Sequence, residues 1–326
     1  MRAAADALVA AWYRGAWWLW LLRPLECVFR LLVVTRRQLY RSGLLHPWRA
    51  PVPVVVVGNI AVGGTGKTPV IIALAEALQA RGISVGVVSR GYGAHGLDGP
   101  RQVGENSTTS DCGDEPLLIQ RRTGCPVVVA PSRPEAARAL LATTPVQLLL
   151  SDDGLQHYAL ARDLEIALLD DRHRTGNGFC LPAGPLREPP SRLRRVDYVL
   201  YRGSDDPETG VQYLALALVN VATGERCPAR PGALGEAVYA VAGIGQPQQF
   251  FSALERLGFQ LERYAFGDHH VYRAADLSAL SDRPIIMTEK DAVKCGQLVG
   301  GNAWYLEIRA QVPTTLVEAV AALVHH

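Results

Sequence analysis

From residue 52 onward, the chain alternates short, densely apolar runs with longer stretches whose apolar residues recur at helical spacing. Residues 52–57, 83–88, 127–130 and 146–150 are valine-, isoleucine- or leucine-rich runs of strand length, and 164–169 and 196–201 repeat the pattern. Between the first four, the spacing predicts helices over 67–80, 114–122 and 134–141. Arg81 and Gly82 end the first helix, and Asp114 and Glu115 open the second, where the helix dipole favours negative charge. Strands that are apolar at nearly every position, separated by helices, indicate a largely parallel sheet with helices on both faces. Residues 212–221 followed by Ala222-Thr-Gly-Glu225 read as a hairpin. Beyond it, apolar runs at 238–242, 259–264, 284–287 and 304–308 alternate with helices as a smaller α/β domain. The glycine- and serine-rich stretch 93–113 reads as a mobile loop. The expected organisation is an arm over 1–50, a core over 51–205, a β-hairpin connection over 206–230 and a C-terminal α/β domain over 231–326.

The arm follows a different pattern. Four of the six tryptophans fall between Ala11 and Leu22, and a second apolar stretch runs from Leu25 to Val34 before Arg36, Arg37 and Arg41. The charge-free stretch from Gly15 to Leu22 is far shorter than the roughly 20 residues that span a bilayer. No small-residue cleavage site follows it, so a secretory leader is not expected. Two amphipathic helices remain, with tryptophans at headgroup depth and arginines for anionic lipid. Helices packed on the protein's own core are the competing reading; membrane-surface association is the expectation carried forward.

Charge sharpens that contrast. The whole chain has a net charge of +2, too balanced to point to nucleic acid. Yet residues 1–50 hold eight arginines against Asp6 and Glu26, about +6, which leaves about −4 for the rest. The six cysteines form no C-x-x-C pair, which argues against a structural zinc site and a disulfide framework. Only Lys67, Lys290 and Lys294 break a strong preference for arginine.

Chemistry enters at Val54-Val-Val-Val-Gly-Asn-Ile-Ala-Val-Gly-Gly-Thr-Gly-Lys-Thr-Pro69. A buried strand runs into a glycine-rich turn and then into a helix, the order a phosphate-binding loop requires. Backbone N–H groups from Ala61, Val62, Gly63, Gly64, Thr65, Gly66, Lys67 and Thr68 are the candidates for cradling phosphate oxygens, assisted by the helix dipole. Lys67 would bridge the β- and γ-phosphates and Thr68 would ligate Mg²⁺. Ala61 stands where the common pattern has its first glycine. The fold class is therefore α/β, a P-loop NTPase-like core with a smaller C-terminal α/β domain and an amphipathic helical arm. About 85 residues after the loop, Leu148-Leu-Leu-Ser-Asp-Asp153 brings two carboxylates to the end of an apolar strand. Asp152 and Asp153 fit the metal-holding role of such a site.

The remaining motifs gain meaning together. Gly58-Asn-Ile-Ala-Val-Gly-Gly-Thr-Gly-Lys-Thr-Pro69, Ser89-Arg-Gly-Tyr-Gly93, Gly113-Asp-Glu-Pro116 and Ser151-Asp-Asp-Gly-Leu-Gln-His157 are followed by Leu181-Pro-Ala-Gly-Pro-Leu-Arg-Glu188, Phe266-Gly-Asp-His-His270 and Thr288-Glu-Lys-Asp291. In this order the chain resembles the tetraacyldisaccharide 4′-kinases, the lipid A 4′-kinases of Gram-negative bacteria. The resemblance implies transfer of the ATP γ-phosphate to the 4′-hydroxyl of a tetraacylated glucosamine disaccharide 1-phosphate, with Mg²⁺ as the metal. It implies Asp114 as general base oriented by His269, chosen over His270 because it directly follows Asp268. Arg187 would clamp phosphates, Glu188 would lie near the metal with Thr68, Asp152 and Asp153, and Arg133 is a further clamp candidate. Read without the resemblance, Arg133 is a solvated helix start and Asp114 a helix cap. A peripheral protein at the cytoplasmic face of the bacterial inner membrane is implied, with a lipid substrate and a monomeric state. A membrane-associated partitioning ATPase is the alternative, but its signature lysine precedes the glycine pair, where this chain has Val62. A GTPase would need an Asn/Thr-Lys-x-Asp step, whose spacing Thr288-Glu-Lys-Asp291 does not match.

Overall fold

A computed structural model describes residues 2–296 and 298–324. In chain order the elements are α1 (Arg2–Arg14), a 3₁₀ segment (Trp17–Leu22), α2 (Arg23–Arg41), β1 (Val54–Gly58), α3 (Lys67–Gln79), β2 (Val85–Ser89) and β3 (Arg101–Val103). Next come α4 (Thr109–Cys112), α5 (Asp114–Thr123), β4 (Val127–Val129), α6 (Arg133–Thr143), β5 (Leu148–Asp152), β6 (Leu164–Asp170) and β7 (Tyr198–Arg202). The C-terminal part contains β8 (Gly210–Asn220), β9 (Arg226–Cys227), β10 (Ala237–Ala242), α7 (Pro247–Arg256), β11 (Gln260–Ala265), α8 (Ala274–Leu277), β12 (Ile285–Thr288), α9 (Glu289–Cys295), β13 (Ala303–Gln311) and α10 (Thr314–Ala322).

β1 lies at the centre of the first half, paired in parallel with β5 on one side and β6 on the other. Its side chains alternate between two apolar layers. Val55 and Val57 pack with Ile71, Leu74, Leu117 and Leu150, whereas Val54 and Val56 pack with Leu140, Leu149 and Leu169. A strand buried on both faces has no solvent side to mark with polar residues, which is why its sequence shows no alternation. α3 is apolar nearly all round for the same reason: it packs on the sheet, α5, β13 and α10. Complete burial of each such valine or leucine contributes about 1.5–3 kcal/mol.

The two halves share one sheet. Its order is β11-β10-β12-β13-β8-β7-β6-β1-β5-β2-β4-β3, with β9 paired to β8. β8 is the seam, parallel to β7 over two residues and antiparallel to β13 from Gln212 to Asn220. The expected hairpin exists as β8 and β9, but β8 also welds the smaller α/β unit to the core. The stretch 93–113 is more ordered than its composition suggests, because it holds β3 and α4. The Thr108 and Asp111 side chains cap α4, and Arg101 ties Asp111 O and Gly96 O together.

The arm packs along one face and exposes the other. Trp12 Nε1 donates to Pro182 O at 2.9 Å, Leu19 is buried, and the buried Glu26 carboxylate accepts the Cys180 N–H at 3.2 Å. The Arg23 guanidinium lies 4.0 Å over the Phe179 ring. On the other side Trp17, Trp20, Leu21, Leu25, Val28, Leu31 and Leu32 are exposed, Trp17 by 77%. Among the described residues, no helix is long and apolar enough to cross a membrane.

Candidate active site

A cleft of about 1920 Å³ opens between the two halves. The run from Gly63 to Thr68, with Arg133, Asp152, Asp153 and Arg187, lines one wall, and Gly245, Asp268, His269 and Lys290 line the other. The glycine-rich loop is fastened at its root. Ala61 N donates to Asn59 Oδ1 at 3.0 Å, Val62 N to Pro185 O at 2.8 Å and Arg187 N to Ile60 O at 2.6 Å. The Ala61 and Val62 N–H groups are thus spent inside the protein, and the donors at the cleft begin at Gly63. Gly63 and Gly66 have φ of +106° and +81°, conformations that disfavour a Cβ. At Gly66 a Cβ would also lie 2.5 Å from the Tyr213 hydroxyl, which bonds the Gly66 carbonyl. α3 begins directly afterwards at Lys67, with Thr68 buried in its first turn.

β5 delivers the two carboxylates, and their environments differ. Asp152 accepts from Ser89 Oγ at 2.9 Å, while its Oδ1 is buried without a hydrogen-bond partner. Burial and the nearby Glu115 and Asp153 carboxylates push its pKa up. Asp153 adopts a left-handed φ of 46° and faces Lys67 Nζ at 3.5 Å and Arg187 Nη1 at 2.9 Å. Burial works against its charge, but those two cations prevail and hold its pKa at about 2. Arg133 is not the solvated helix start that arginine usually makes. It is 1% exposed, and its Nη2 donates to Asp152 O at 2.5 Å.

Opposite stands an aspartate–histidine pair joined from both halves. Asp114, in the first turn of α5, is 5% exposed, and His269 Nδ1 lies 3.0 Å from its Oδ2. His269 has a φ of 56°, and its ring packs 4.8 Å from that of Tyr92. Its side chain lines the cleft, whereas Asp114 lies behind it. Burial opposes the Asp114 charge, but the His269 hydrogen bond, Lys290 and Lys294 bring its pKa down to about 2. His270 turns elsewhere, onto Asp276 at 3.0 Å.

Glu188, expected near the metal, lies behind the residues that line the cleft. It is fully buried, away from the cleft lining, and accepts from Gln156 Nε2 at 2.9 Å and Tyr158 OH at 2.5 Å, with Arg192 Nε at 3.5 Å. Both of its oxygens are engaged, next in sequence to Arg187. Several cleft residues escaped the sequence reading, among them Tyr213, Arg202 and the turn at Gly245. Their signal was tertiary, because each reaches the cleft from a different element.

The profile of the family described as Tetraacyldisaccharide-1-P 4′-kinase matches residues 18–325. The chain belongs to the tetraacyldisaccharide 4′-kinase family. It is 50% identical over 325 residues to the tetraacyldisaccharide 4′-kinase of Pseudomonas paraeruginosa, covering 99% of this chain and 98% of that one. It is 53% identical over 311 residues to that of Azotobacter vinelandii, covering 94% and 93%. The LpxK of Aquifex aeolicus, solved in complex with ATP, superposes with a TM-score of 0.77 at 27% identity, over 94% of this chain and 98% of that one. The activity is that of a tetraacyldisaccharide 4′-kinase in lipid A biosynthesis. The fold is the family's mixed α/β, mostly parallel sheet of a P-loop kinase.

Proposed function

We propose that the cleft binds ATP at the Gly63–Thr68 N–H groups and transfers its γ-phosphoryl to a sugar hydroxyl presented beside His269. The observation that carries this reading is the convergence of Lys67, Arg187, Asp153 and the Asp114–His269 pair on one cleft. Phosphoryl transfer asks mainly for positioning and charge neutralisation. Lys67 and Arg187 both meet Asp153, and both can turn to the transferring group. Arg133 adds a buried cation behind Asp152.

The donor set fits Mg²⁺. Thr68, Asp152 and Asp153 supply hard oxygens, and both Asp152 Oδ1 and Asp153 Oδ1 are buried without a hydrogen-bond partner. Among the described residues no group of three or more His, Cys, Asp and Glu side chains forms a protein cage. That matches a metal held through one or two carboxylates plus substrate phosphates. When bound, Mg²⁺ would neutralise charge on the β- and γ-phosphates.

The acceptor's proton goes to the aspartate–histidine pair. With Nδ1–H donated to Asp114, the His269 Nε2 lone pair meets the 4′-hydroxyl at the cleft. As the O4′–P bond forms and the bond from phosphorus to the β-phosphate oxygen breaks, the proton passes to Nε2. Asp114 then stabilises the imidazolium. This assigns the direct contact to His269 and the orienting role to Asp114, because His269 lines the cleft and Asp114 lies behind it.

The exposed face of the arm serves as the membrane-docking surface for a peripheral, monomeric enzyme at the cytoplasmic side of the inner membrane. Its row of tryptophans and leucines is flanked by arginines suited to anionic lipid. The test is product analysis with γ-labelled ATP and the acylated disaccharide 1-phosphate. Label in an organic-extractable lipid supports the reading, whereas release of free phosphate alone overturns it in favour of an ATPase.

A further inference from the structure

The Thr288-Glu-Lys-Asp291 motif opens α9, which touches both sides of the cleft. Thr288 caps the helix by accepting from Asp291 N at 3.1 Å. Asp291 is fully buried and accepts the Gly243 N–H at 2.8 Å, fixing the turn whose Gly245 abuts Gly64 of the phosphate loop. Glu289 pairs with Arg122 of α5 at 2.6 Å. Lys290 reaches Glu115 Oε1 at 2.9 Å, Asp268 Oδ1 at 3.6 Å and Asp114 Oδ2 at 3.8 Å. One turn later, Lys294 lies 2.9 Å from Asp291 and 3.6 Å from Asp114. Two of the chain's three lysines therefore converge on Asp114 of the proposed proton-accepting pair.

We propose that Lys290 is a positioning residue that locks the Asp114–His269 pair into register by binding α5 and the Asp268-His269 step at once. The inference rests on the reading of that pair as the proton acceptor. Asp114 and Glu115 belong to the nucleotide-binding half, and Asp268 and His269 follow β11 in the other. Their three carboxylates repel one another, and His269 sits in a left-handed conformation that a non-glycine residue holds only when its surroundings enforce it. Lys290 neutralises the cluster from a largely buried position, and its ammonium can face three acceptors from one point. Arginine, planar and longer, suits this three-way junction less well. That gives a physical reason for lysine in an arginine-rich chain. Asp291, the next residue on the same helix, ties the Gly243–Gly245 turn, so α9 sets the spacing between phosphate loop and proton acceptor.

The test is steady-state kinetics of the full-length enzyme with ATP and the lipid acceptor. Lys290→Met should lower kcat about 10²-fold, the scale of a misplaced catalytic group, with both KM values changed by no more than about twofold. In an Asp114→Asn background the same substitution should add almost nothing, since residues acting as a unit are non-additive. Lys290→Arg should recover part of kcat. Multiplying losses in that background, or a selective rise in the ATP KM, would overturn the proposal and place Lys290 on a phosphate instead. If Asp114→Asn and His269→Ala themselves remain near wild type, the proton-acceptor reading fails and takes this inference with it. Glu115→Gln loosens one anchor and serves if Lys290→Met does not fold. A smaller loss of kcat that vanishes in the Asp114→Asn background supports the lock, and a multiplicative loss overturns it.

Discussion

Replacing Asp114 by Asn tests two consequences of one geometry. The carboxylate is almost fully buried, and its pKa is lowered from an ordinary 3.8 to about 2. At about 1.4 kcal/mol per unit, the depression corresponds to about 2 kcal/mol of native stability from the ionised form. Because the folded pKa is depressed, this contribution is complete above the unfolded value and disappears as pH falls through the folded one. Asn mimics the neutral acid in shape. Asp114→Asn should therefore cost about 2 kcal/mol in urea denaturation at pH 7, and the gap to wild type should narrow between about pH 4 and pH 2. In catalysis, Asn can accept from or donate to Nδ1, so it no longer enforces the tautomer with a free Nε2. Turnover should fall by about 10²–10⁴, with the ATP KM little changed. A variant that keeps a tenth of wild-type kcat would refute the catalytic part. A stability loss that is equally large at pH 7 and pH 3 would refute the electrostatic part.

Further outcomes follow from the same geometry. Lys67→Ala should lower kcat by about 10³-fold while the fold survives, measured as labelled-phosphate transfer alongside circular dichroism; retention of a tenth of the activity would remove Lys67 from the site. The double variant Asp114→Ala/His269→Ala should be barely worse than the more damaged single one, and independent multiplication of the losses would break the pair apart. Glu188→Gln should lower stability by about 1–3 kcal/mol without changing the Mg²⁺ concentration for half-maximal activity, because the carboxylate ties Tyr158, Gln156 and Arg192. A large shift in that Mg²⁺ requirement would return it to the metal. Leu25→Ser, Val28→Ser and Leu32→Ser together should release the protein from anionic vesicles in a flotation assay, since all three are exposed. Unchanged binding would leave the arm with its packing role alone.

Much of the fold was legible in the sequence, because its strongest signals are local. An all-apolar strand such as β1, a glycine that must hold φ of +106°, and a helix opening at Lys67 are each decided within a few residues. The same holds for Asp152 and Asp153, which follow directly from the strand that carries them. The stretch 93–113 failed that reading, because its order comes from Arg101 hydrogen bonds and from pairing of β3 with β4, neither of which composition reveals. The arm was offered as either a membrane surface or a packed pair of helices. In the structure one face packs, which a helix's composition alone cannot divide from the other.

By itself, the sequence determined the parallel strands, the phosphate loop and the presence of lysine, carboxylate and histidine motifs in a recognisable order. Only the tertiary structure decided which of those groups meet. Asp114 and His269 lie 155 residues apart, and their 3.0 Å contact depends on β8 welding two half-sheets into one. Tertiary packing also turned Glu188 inward and buried Arg133 in the cleft wall, where a lone arginine opening a helix reads as solvated. The reason is physical. Backbone preference and apolar periodicity act along a few turns of chain, whereas the direction and charge of a functional side chain are set by whatever distant segment packs against it.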